Sequence, residues 1–480
     1  MGSLWSKSVS FERRAALDGN ISVNTAIIGG GIAGLLIAYK LKERGIDAVI
    51  LEAREICSGQ TKNTTAKITS QHGIIYSKIA SGYGDEAAKQ YANANQKAIA
   101  DYEKLIAQKN ISCHFEKKQA VLYTLHDKEA IEKEAAAAKK AGIECFITDK
   151  TELPFPVKSA LVFENQAQFN PLEFLKPISE ELTIYENTPV TKVVDNVVHT
   201  KNGTVTAQNI VFACHYPFVN FPGVYFLRMS QERSYVVSSK WQGKLDGMYI
   251  DAGEGLSFRT YEDQIIIGGG AHRTGEPNAE NPLKMLNEKG EMMFSGFRRT
   301  AMWSAQDCIT LDGIPYIGRL SPTNPNIYVA TGFNKWGMTS SMVSANIISD
   351  TICGVENKDG DVFSPRRFVL FTGAKNICIN TGETVKGFAK HLKSASYTAD
   401  MVRRGSARVI KYNGKKAGAY RDKDGRLYIV SLTCPHLKCC LQWNRATKTW
   451  DCPCHGSRYD YKGNLLDGPS QKQSILIKLI

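Results

Sequence analysis

The sequence predicts an α/β nucleotide-binding domain that carries a strand-rich insertion and is followed by a small, separate metal-binding domain. Three observations carry this expectation: a strand, glycine turn, helix and second strand within residues 24–55; helix-like and then strand-like stretches between residues 85 and 304; and two cysteine–histidine pairs within residues 433–460. With 480 residues, 43% of them hydrophobic, the chain has material for two or three domains rather than one small stapled scaffold.

The first element is "NTAIIGGGIAGLLIAYKLKERGIDAVILEARE", which reads as strand, turn, amphipathic helix, strand. Gly29, Gly31 and Gly34 form G-x-G-x-x-G. The first glycine allows the tight turn, the second lets a pyrophosphate reach the backbone, and the third lets helix and strand pack closely. Ile32 and Ala33 open the helix, whose N-terminus faces the phosphates. Glu52 closes the second strand about twenty residues on, where a carboxylate accepts ribose hydroxyls and disfavours a 2'-phosphate. The pattern specifies a dinucleotide and leaves FAD and NAD both open.

The far end of the same domain separates them. "NIYVATGFNKWGMTSSMVSANIISDTICG" reads as a buried strand, a glycine-rich turn from Gly332 to Gly337, and a helix starting near Met338. Such a helix start supplies N–H groups and a positive dipole end, suited to the negative charge of a reduced flavin. With "TLDGIPYIG" just upstream, these segments resemble the D-amino-acid oxidase and glycine oxidase family of flavoenzymes across most of residues 20–356. The resemblance implies FAD held through Gly29, Gly31, Ile32, Ala33, Gly34, Glu52, Ala53 and Arg54. It places Thr61, Thr65 and Ala66 of "SGQTKNTTAKITSQHG" along the pyrophosphate and ribityl chain, and Val190 of "ENTPVTKV" at the adenine. Gly332, Trp336, Gly337, Met338 and Thr339 fall at the ring.

Between the two ends, residues 85–145 are rich in Ala, Lys and Glu at helical spacing, and "RSYVVSS", "MYIDAGE" and "LSFRTYEDQIIIGGG" are strand-like. In the family such strands form a mixed sheet that roofs the flavin. Arg259 is the candidate anchor for a substrate carboxylate, with a surface or structural partner as its alternative role. His272, at a strand end, is the candidate catalyst; a hydrogen-bonded structural histidine is the alternative. Lys335 and Lys67 flank the expected ring position, where a cation would stabilise flavin negative charge; a water-facing lysine is the alternative for each. His215, Tyr235 and Trp336 are weaker candidates, Trp336 as packing.

The last element holds a metal centre. Cys434-x-His436 and, after fifteen residues, Cys452-x-x-His455 each offer one thiolate and one imidazole. Zinc sites usually pair cysteine with cysteine and histidine with histidine. The alternating order instead suits a [2Fe-2S] cluster with two cysteines on one iron and two histidines on the other. "CPHLKC" and "CPCHGSRYD" resemble the two cluster loops of Rieske proteins of the cytochrome bc type, with Lys438 where the family usually has glycine. Cys439 and Cys454 are then the expected disulfide pair, with Cys440 as an additional thiol. Ser457 and Tyr459 are hydroxyl donors to cluster or cysteine sulfur.

The expected architecture is therefore an α/β FAD-binding, Rossmann-like domain with an inserted mixed-sheet (α+β) substrate domain, plus a C-terminal all-β Rieske domain. The FAD-binding parts are placed at about residues 20–85, 185–220 and 305–356 and the substrate-domain parts at about 86–184 and 221–304, within a unit of residues 1–368. A connector at 369–398 and the Rieske domain at 399–480 follow. The longest apolar run, Ala26 to Tyr39, is fourteen residues with four glycines, too short for a membrane span. Arg13-Arg14 lacks the apolar segment of an export signal, and twelve cysteines without a dense framework fit a reducing compartment, so a cytoplasmic location is expected. The net charge of +13, without a dense basic run or an RNA-binding motif, reads as solvated surface or as a preference for an acidic redox partner, not as a nucleic-acid site.

A flavin takes two electrons as a hydride whereas a Rieske cluster carries one, so the tandem is a two-to-one converter. The expected function is oxidation of an amine or amino-acid-like small molecule, with electrons leaving singly through the cluster to an external carrier; a dehydrogenase is favoured over an oxidase. The alternatives are a reductase fed by a ferredoxin-like donor and an electron-transfer or redox-sensing flavoprotein without substrate.

Overall fold

The structure is a computed structural model describing all residues except 1, 220–221, 254, 277–280, 368–396, 475 and 480. The connector expected at 369–398 thus lies almost wholly outside the described residues.

Sequence pattern and sheet position agree in the nucleotide-binding part. The strand Ile21–Ile28 buries its last four residues and pairs in parallel with Thr204–Phe212 on one side and Ala48–Leu51 on the other. A strand covered on both faces reads as a continuous apolar run, as "TAII" does. The sheet continues outward through Ile327–Thr331 and Tyr316–Arg319 on one edge and Thr183–Tyr185 on the other. The helices Ile32–Glu43 and Gly337–Ile352 pack against each other beside it; the first is apolar over most of its length because it is mostly buried, and the second buries small polar residues such as Ser341 and Ser344, which bond back to helix carbonyls.

A second sheet of nine strands runs Arg299–Thr310, Met229–Lys240, Gln264–Arg273, Ser257–Tyr261, Gly247–Asp251, Glu116–Thr124, Ser159–Gln168 and Lys67–Ile68, with Cys145–Thr148 on Ser159–Gln168. Its pairings are antiparallel except for Gly247–Asp251 with Glu116–Thr124, so the sheet is mixed. Residues 85–145 are not helical throughout. The helices Asp85–Lys109 and Lys128–Lys140 flank the strand Glu116–Thr124, whose "AVLYT" half carries the β-branched and aromatic residues that favour a buried strand. The long strand Arg299–Thr310 crosses the boundary expected near residue 305 and so ties the two parts together.

The C-terminal domain is built from two antiparallel four-stranded sheets. One comprises Ala407–Tyr412, Lys415–Arg421, Leu427–Ser431 and Leu476–Leu479; the other comprises Gln442–Asn444, Thr449–Asp451, Arg458–Asp460 and Leu465–Asp467. Arg458, itself buried, meets Asp451 at 3.3 Å and Asp467 at 2.6 Å and locks the second sheet. Among the described residues, no helix is long and apolar enough to cross a membrane.

Candidate functional site: a flavin cavity walled by a cluster domain

Two helix N-termini converge on one cavity of about 910 Å³: Ile32–Glu43, capped by Gly31, and Gly337–Ile352, capped by Trp336. The amides at each start have no partner within their own helix, and the aligned dipoles make both ends attractive to anionic groups. Gly29, Gly31, Ile32 and Ala33 line the cavity. Gly29 has φ +115°, and a Cβ there would lie 2.5 Å from the Ala213 carbonyl oxygen, so only glycine makes this turn. Gly34 lies behind the lining, where a Cβ would come within 2.0 Å of the Gly29 oxygen. It sets the approach of helix to strand.

Glu52 accepts hydrogen bonds from Gly30 N (2.7 Å) and Arg54 N (2.9 Å) and lines the cavity with Ala53, Arg54 and Val190. Thr61 Oγ1 accepts from Ile32 N at 3.0 Å, and Thr61, Thr65, Trp336, Gly337 and Met338 complete the lining. Ala66, Gly332 and Thr339 lie outside it and shape the walls. Thr339 donates to the Thr69 carbonyl at 2.8 Å, and Gly332 (φ +71°) turns against Thr310. A long cavity with two helix N-termini and a strand-end carboxylate fits FAD.

The expected chemistry is distributed differently from the sequence reading. Arg259 does not line the cavity; it is 1% exposed and donates to the carbonyls of Thr65 (2.6 Å) and Ala66 (2.7 Å), bracing the segment that runs beside the cavity. Trp5 braces the same segment by donating to Thr64 O at 2.8 Å, a role nothing in the N-terminal sequence signalled. His272 stacks on Tyr235 with centroids 5.6 Å apart, and its neighbour Ala271, not the imidazole, lines the cavity. Burial pushes its pKa down. Tyr235 and His215 line the cavity, and Trp336 stacks on His72 at 4.7 Å. Lys67 lines it and donates to the Tyr249 carbonyl at 2.8 Å; burial, then the charge of Arg259, lowers its pKa to about 7.

Lys335 lines the cavity at φ 74° and pairs with Glu232 at 2.8 Å. Beside it stands Asp307, which sequence reasoning missed. Glu232 and Asp307 are directly opposite on neighbouring strands, so both project from the same face of the sheet. Asp307 lines the cavity, accepts from Ser234 Oγ at 3.4 Å, and has its pKa pushed up to about 6 by burial against the pull of Lys335. No local motif marks it, because its partners come from strands some seventy residues apart in sequence and from the 332–337 turn.

The second centre sits in two loops of the C-terminal domain. Cys434, Cys452 and His455 are buried (0%, 1% and 2% exposed), while His436 is half-buried. The two imidazoles lie perpendicular with centroids 5.0 Å apart. His455 Nδ1 is buried with no hydrogen-bond partner among the described residues, the mark of an atom awaiting a metal. Burial, reinforced by the positive fields of His436 and Arg273, lowers the His455 pKa to about 3, which keeps the imidazole neutral and ready to ligate. A hydrogen bond with Cys452 lowers the Cys434 thiol, the direction a ligand thiolate needs. Tyr459 Oη approaches Cys434 Sγ at 3.8 Å, and the Ser457 hydroxyl, which accepts from Ser470 N at 3.0 Å, also bonds to the Cys434 sulfur and helps to lower it. Cys439 and Cys454 form the expected disulfide, beside Cys452, and Cys440 stays outside it. Lys438 occupies the family's glycine position at φ 64°, which explains why glycine is usual there. Two buried cysteines on one loop pair, sharing a hydrogen bond that holds the Cys434 thiol down and the Cys452 thiol up, and two imidazoles beside them fit a [2Fe-2S] cluster.

The two centres are packed together. Gln231 Nε2 donates to His455 O (2.7 Å) and Gly468 O (3.2 Å), and Gln306 Nε2 donates to Gly456 O (2.8 Å) and to the Gln231 carboxamide. The Leu465–Gln473 segment walls the cavity: Arg54 donates to Leu466 O (2.9 Å), Gln60 to Asp467 (3.1 Å), and Gln471 to Val190 O (2.8 Å). Phe226 meets His455 edge to face at 6.0 Å, and a Cβ on Gly275 would lie 2.4 Å from Pro453 N.

Fold and site together define a flavoprotein that carries its own Rieske cluster. The comparisons agree: residues 24–351 match the FAD dependent oxidoreductase family and residues 393–478 match the Rieske [2Fe-2S] domain, and the chain belongs to that oxidoreductase family. It is 35% identical to the Rieske 2Fe-2S iron-sulfur protein YhfW of Bacillus subtilis (strain 168) over 98% of this chain and 96% of that protein. It is 21% identical to the gamma-glutamylputrescine oxidoreductase of Escherichia coli (strain K12), over 75% of this chain and 90% of that one. Among solved structures it shares its fold with glycine oxidase from Geobacillus kaustophilus (TM-score 0.61, 18% identity, 73% of this chain and all of that one). The same holds for L-proline dehydrogenase from P. horikoshii (TM-score 0.60, 18% identity, 73% and 98%).

Proposed function

We propose that this FAD-dependent oxidoreductase oxidises an amine or amino-acid-like substrate and passes the electrons singly through its Rieske cluster to an external carrier, as a dehydrogenase rather than an oxidase. When bound, FAD supplies hydride acceptance and the [2Fe-2S] centre supplies one-electron carriage. One observation carries the reading: the loop bearing His455 is hydrogen-bonded to Gln231 and Gln306, which stand on the two strands that supply Tyr235 and Asp307 to the flavin cavity. The relatives named for amine and amino-acid oxidation support the substrate class.

In this reading Asp307 takes the proton from a bound ammonium group, since a carboxyl poised near 6 is a base at neutral pH. Lys335, held by Glu232, provides positive charge where electron density accumulates, and Lys67, held on the Tyr249 carbonyl with its pKa at about 7, can take up a proton there. Arg259 and Trp5 keep the Thr64–Ala66 segment in place, and the Leu465–Gln473 segment shields the cavity from water. Nine cysteines outside the disulfide, among the described residues, support a reducing, cytoplasmic location.

The test is an anaerobic screen of primary and secondary amines and amino acids with an artificial one-electron acceptor, reading flavin bleaching and the EPR signal of the reduced cluster. Bleaching followed by the cluster signal is expected. A flavin that amines bleach while the cluster stays oxidised at every stage rejects the route. Bleaching by no amine, with turnover from a reduced ferredoxin-like donor, would reverse the direction of flow.

A further inference from the structure

The two histidine ligands differ in exposure. His455 is 2% exposed, its ring meets Phe226, and its carbonyl is held by Gln231 of the flavin domain. His436 is half-buried, in a loop whose Pro435 and Leu437 are also half-buried and whose Lys438 is exposed. The cluster thus has an inner edge turned to its own flavin domain and an outer edge turned to solvent. Charge is also unevenly shared along the chain. Residues 399–480 hold sixteen lysines and arginines against six aspartates and no glutamate, a net +10 of the chain's +13. Eleven of those cations are exposed, against two of the aspartates.

We infer that the His436 edge, with Lys438 beside it, is the docking surface for an acidic one-electron carrier protein, and that electrons cross the cluster from the His455 side to the His436 side. The inference rests on the proposed oxidoreductase reading for the direction of flow. It adds where the electron leaves and the charge of what receives it. Net positive charge on the domain that carries a redox terminus speeds encounter with an acidic protein and discriminates against a basic one, an effect that salt removes. An anionic membrane or a nucleic acid would meet the same charge but accepts no electron, so the half-exposed ligand favours a redox protein.

Holoprotein with its cluster reduced chemically is mixed in a stopped-flow instrument with an acidic blue-copper protein, with a basic c-type cytochrome of comparable potential, and with p-benzoquinone. At low ionic strength the acidic carrier is expected to oxidise the cluster roughly tenfold faster or more than the basic one, and the advantage should vanish at about 0.5 M salt. Lys438→Glu should slow the acidic carrier several-fold yet leave the quinone rate and the flavin-to-cluster rate unchanged. Lys415→Glu, at the start of a strand that holds no cluster ligand, should alter the acidic carrier's rate less than twofold. Equal rates with the two carriers at low salt, or equal losses in the two variants, overturn the inference. So does protection of the cluster by anionic phospholipid vesicles to the level seen in Lys438→Glu, which would assign the face to a membrane surface. Because the cluster is reduced chemically, these outcomes are independent of whether an amine reduces the flavin.

Discussion

Asp307 is where the chemistry of single residues is concentrated. Its carboxyl faces the flavin cavity opposite Glu232 and beside Lys335, with a pKa raised to about 6 by burial. As the base for a bound ammonium it would make kcat/KM fall as pH drops below about 6, and Asp307→Asn should remove that acidic limb and lower kcat/KM by about 10² to 10⁴. Stability carries the opposite sign. An acid whose folded pKa lies above its unfolded value costs stability as pH rises through about 4 to 6, so Asp307→Asn should raise the melting temperature at pH 7 and not at pH 3. Tyr459 permits a second test. Its hydroxyl lies 3.8 Å from Cys434 Sγ, and hydrogen bonds to cluster sulfur raise the potential, so Tyr459→Phe should lower the cluster's midpoint in a redox titration with cluster content unchanged.

At the level of elements, the sheet and loop contacts decide how the two centres meet. Gly275 follows the strand Gln264–Arg273 at φ +80°, and a Cβ there would press on the Pro453 backbone. Gly275→Ala should leave both cofactors bound but displace the cluster loop, slowing flavin-to-cluster transfer in stopped-flow absorbance. An unchanged rate would mean that this contact does not set the docking. Arg458 joins Asp451 and Asp467 across the strands of the cluster sheet. Removing one partner of a buried charge network is expensive, so Arg458→Ala should destabilise the domain by about 3–5 kcal/mol in denaturant unfolding.

For the whole molecule, the consequence is that the flavin and cluster sites share one chain and one cavity wall. Flavin-to-cluster transfer should therefore be first order, with a rate constant that does not change on tenfold dilution after flash photoreduction. A rate proportional to protein concentration would place the exchange between molecules.

Much of this was legible in the sequence because its signals are local. The glycine turn with Glu52 at the next strand end, the turn and helix after Ile327, and the Cys-His pairs each lie within one or two adjoining elements, where spacing alone reports geometry. The helical reading of residues 85–145 failed at Glu116–Thr124 because its partners, at 159–168 and 247–251, are remote in sequence, and burial there overrides composition. Arg259 and His272 were placed over the ring by resemblance. Packing turned Arg259 to the Thr65 and Ala66 carbonyls and His272 to the Tyr235 ring.

By itself, then, the sequence determined which cofactors this protein is made to hold, since a nucleotide turn and a ligand quartet are short-range patterns of backbone freedom and donor type. Only the tertiary structure decided that Asp307 joins Glu52 in lining the cavity, that residues 465–473 help to wall it, and which cluster histidine is the more buried. Those depend on contacts between strands and domains hundreds of residues apart, which no local spacing encodes.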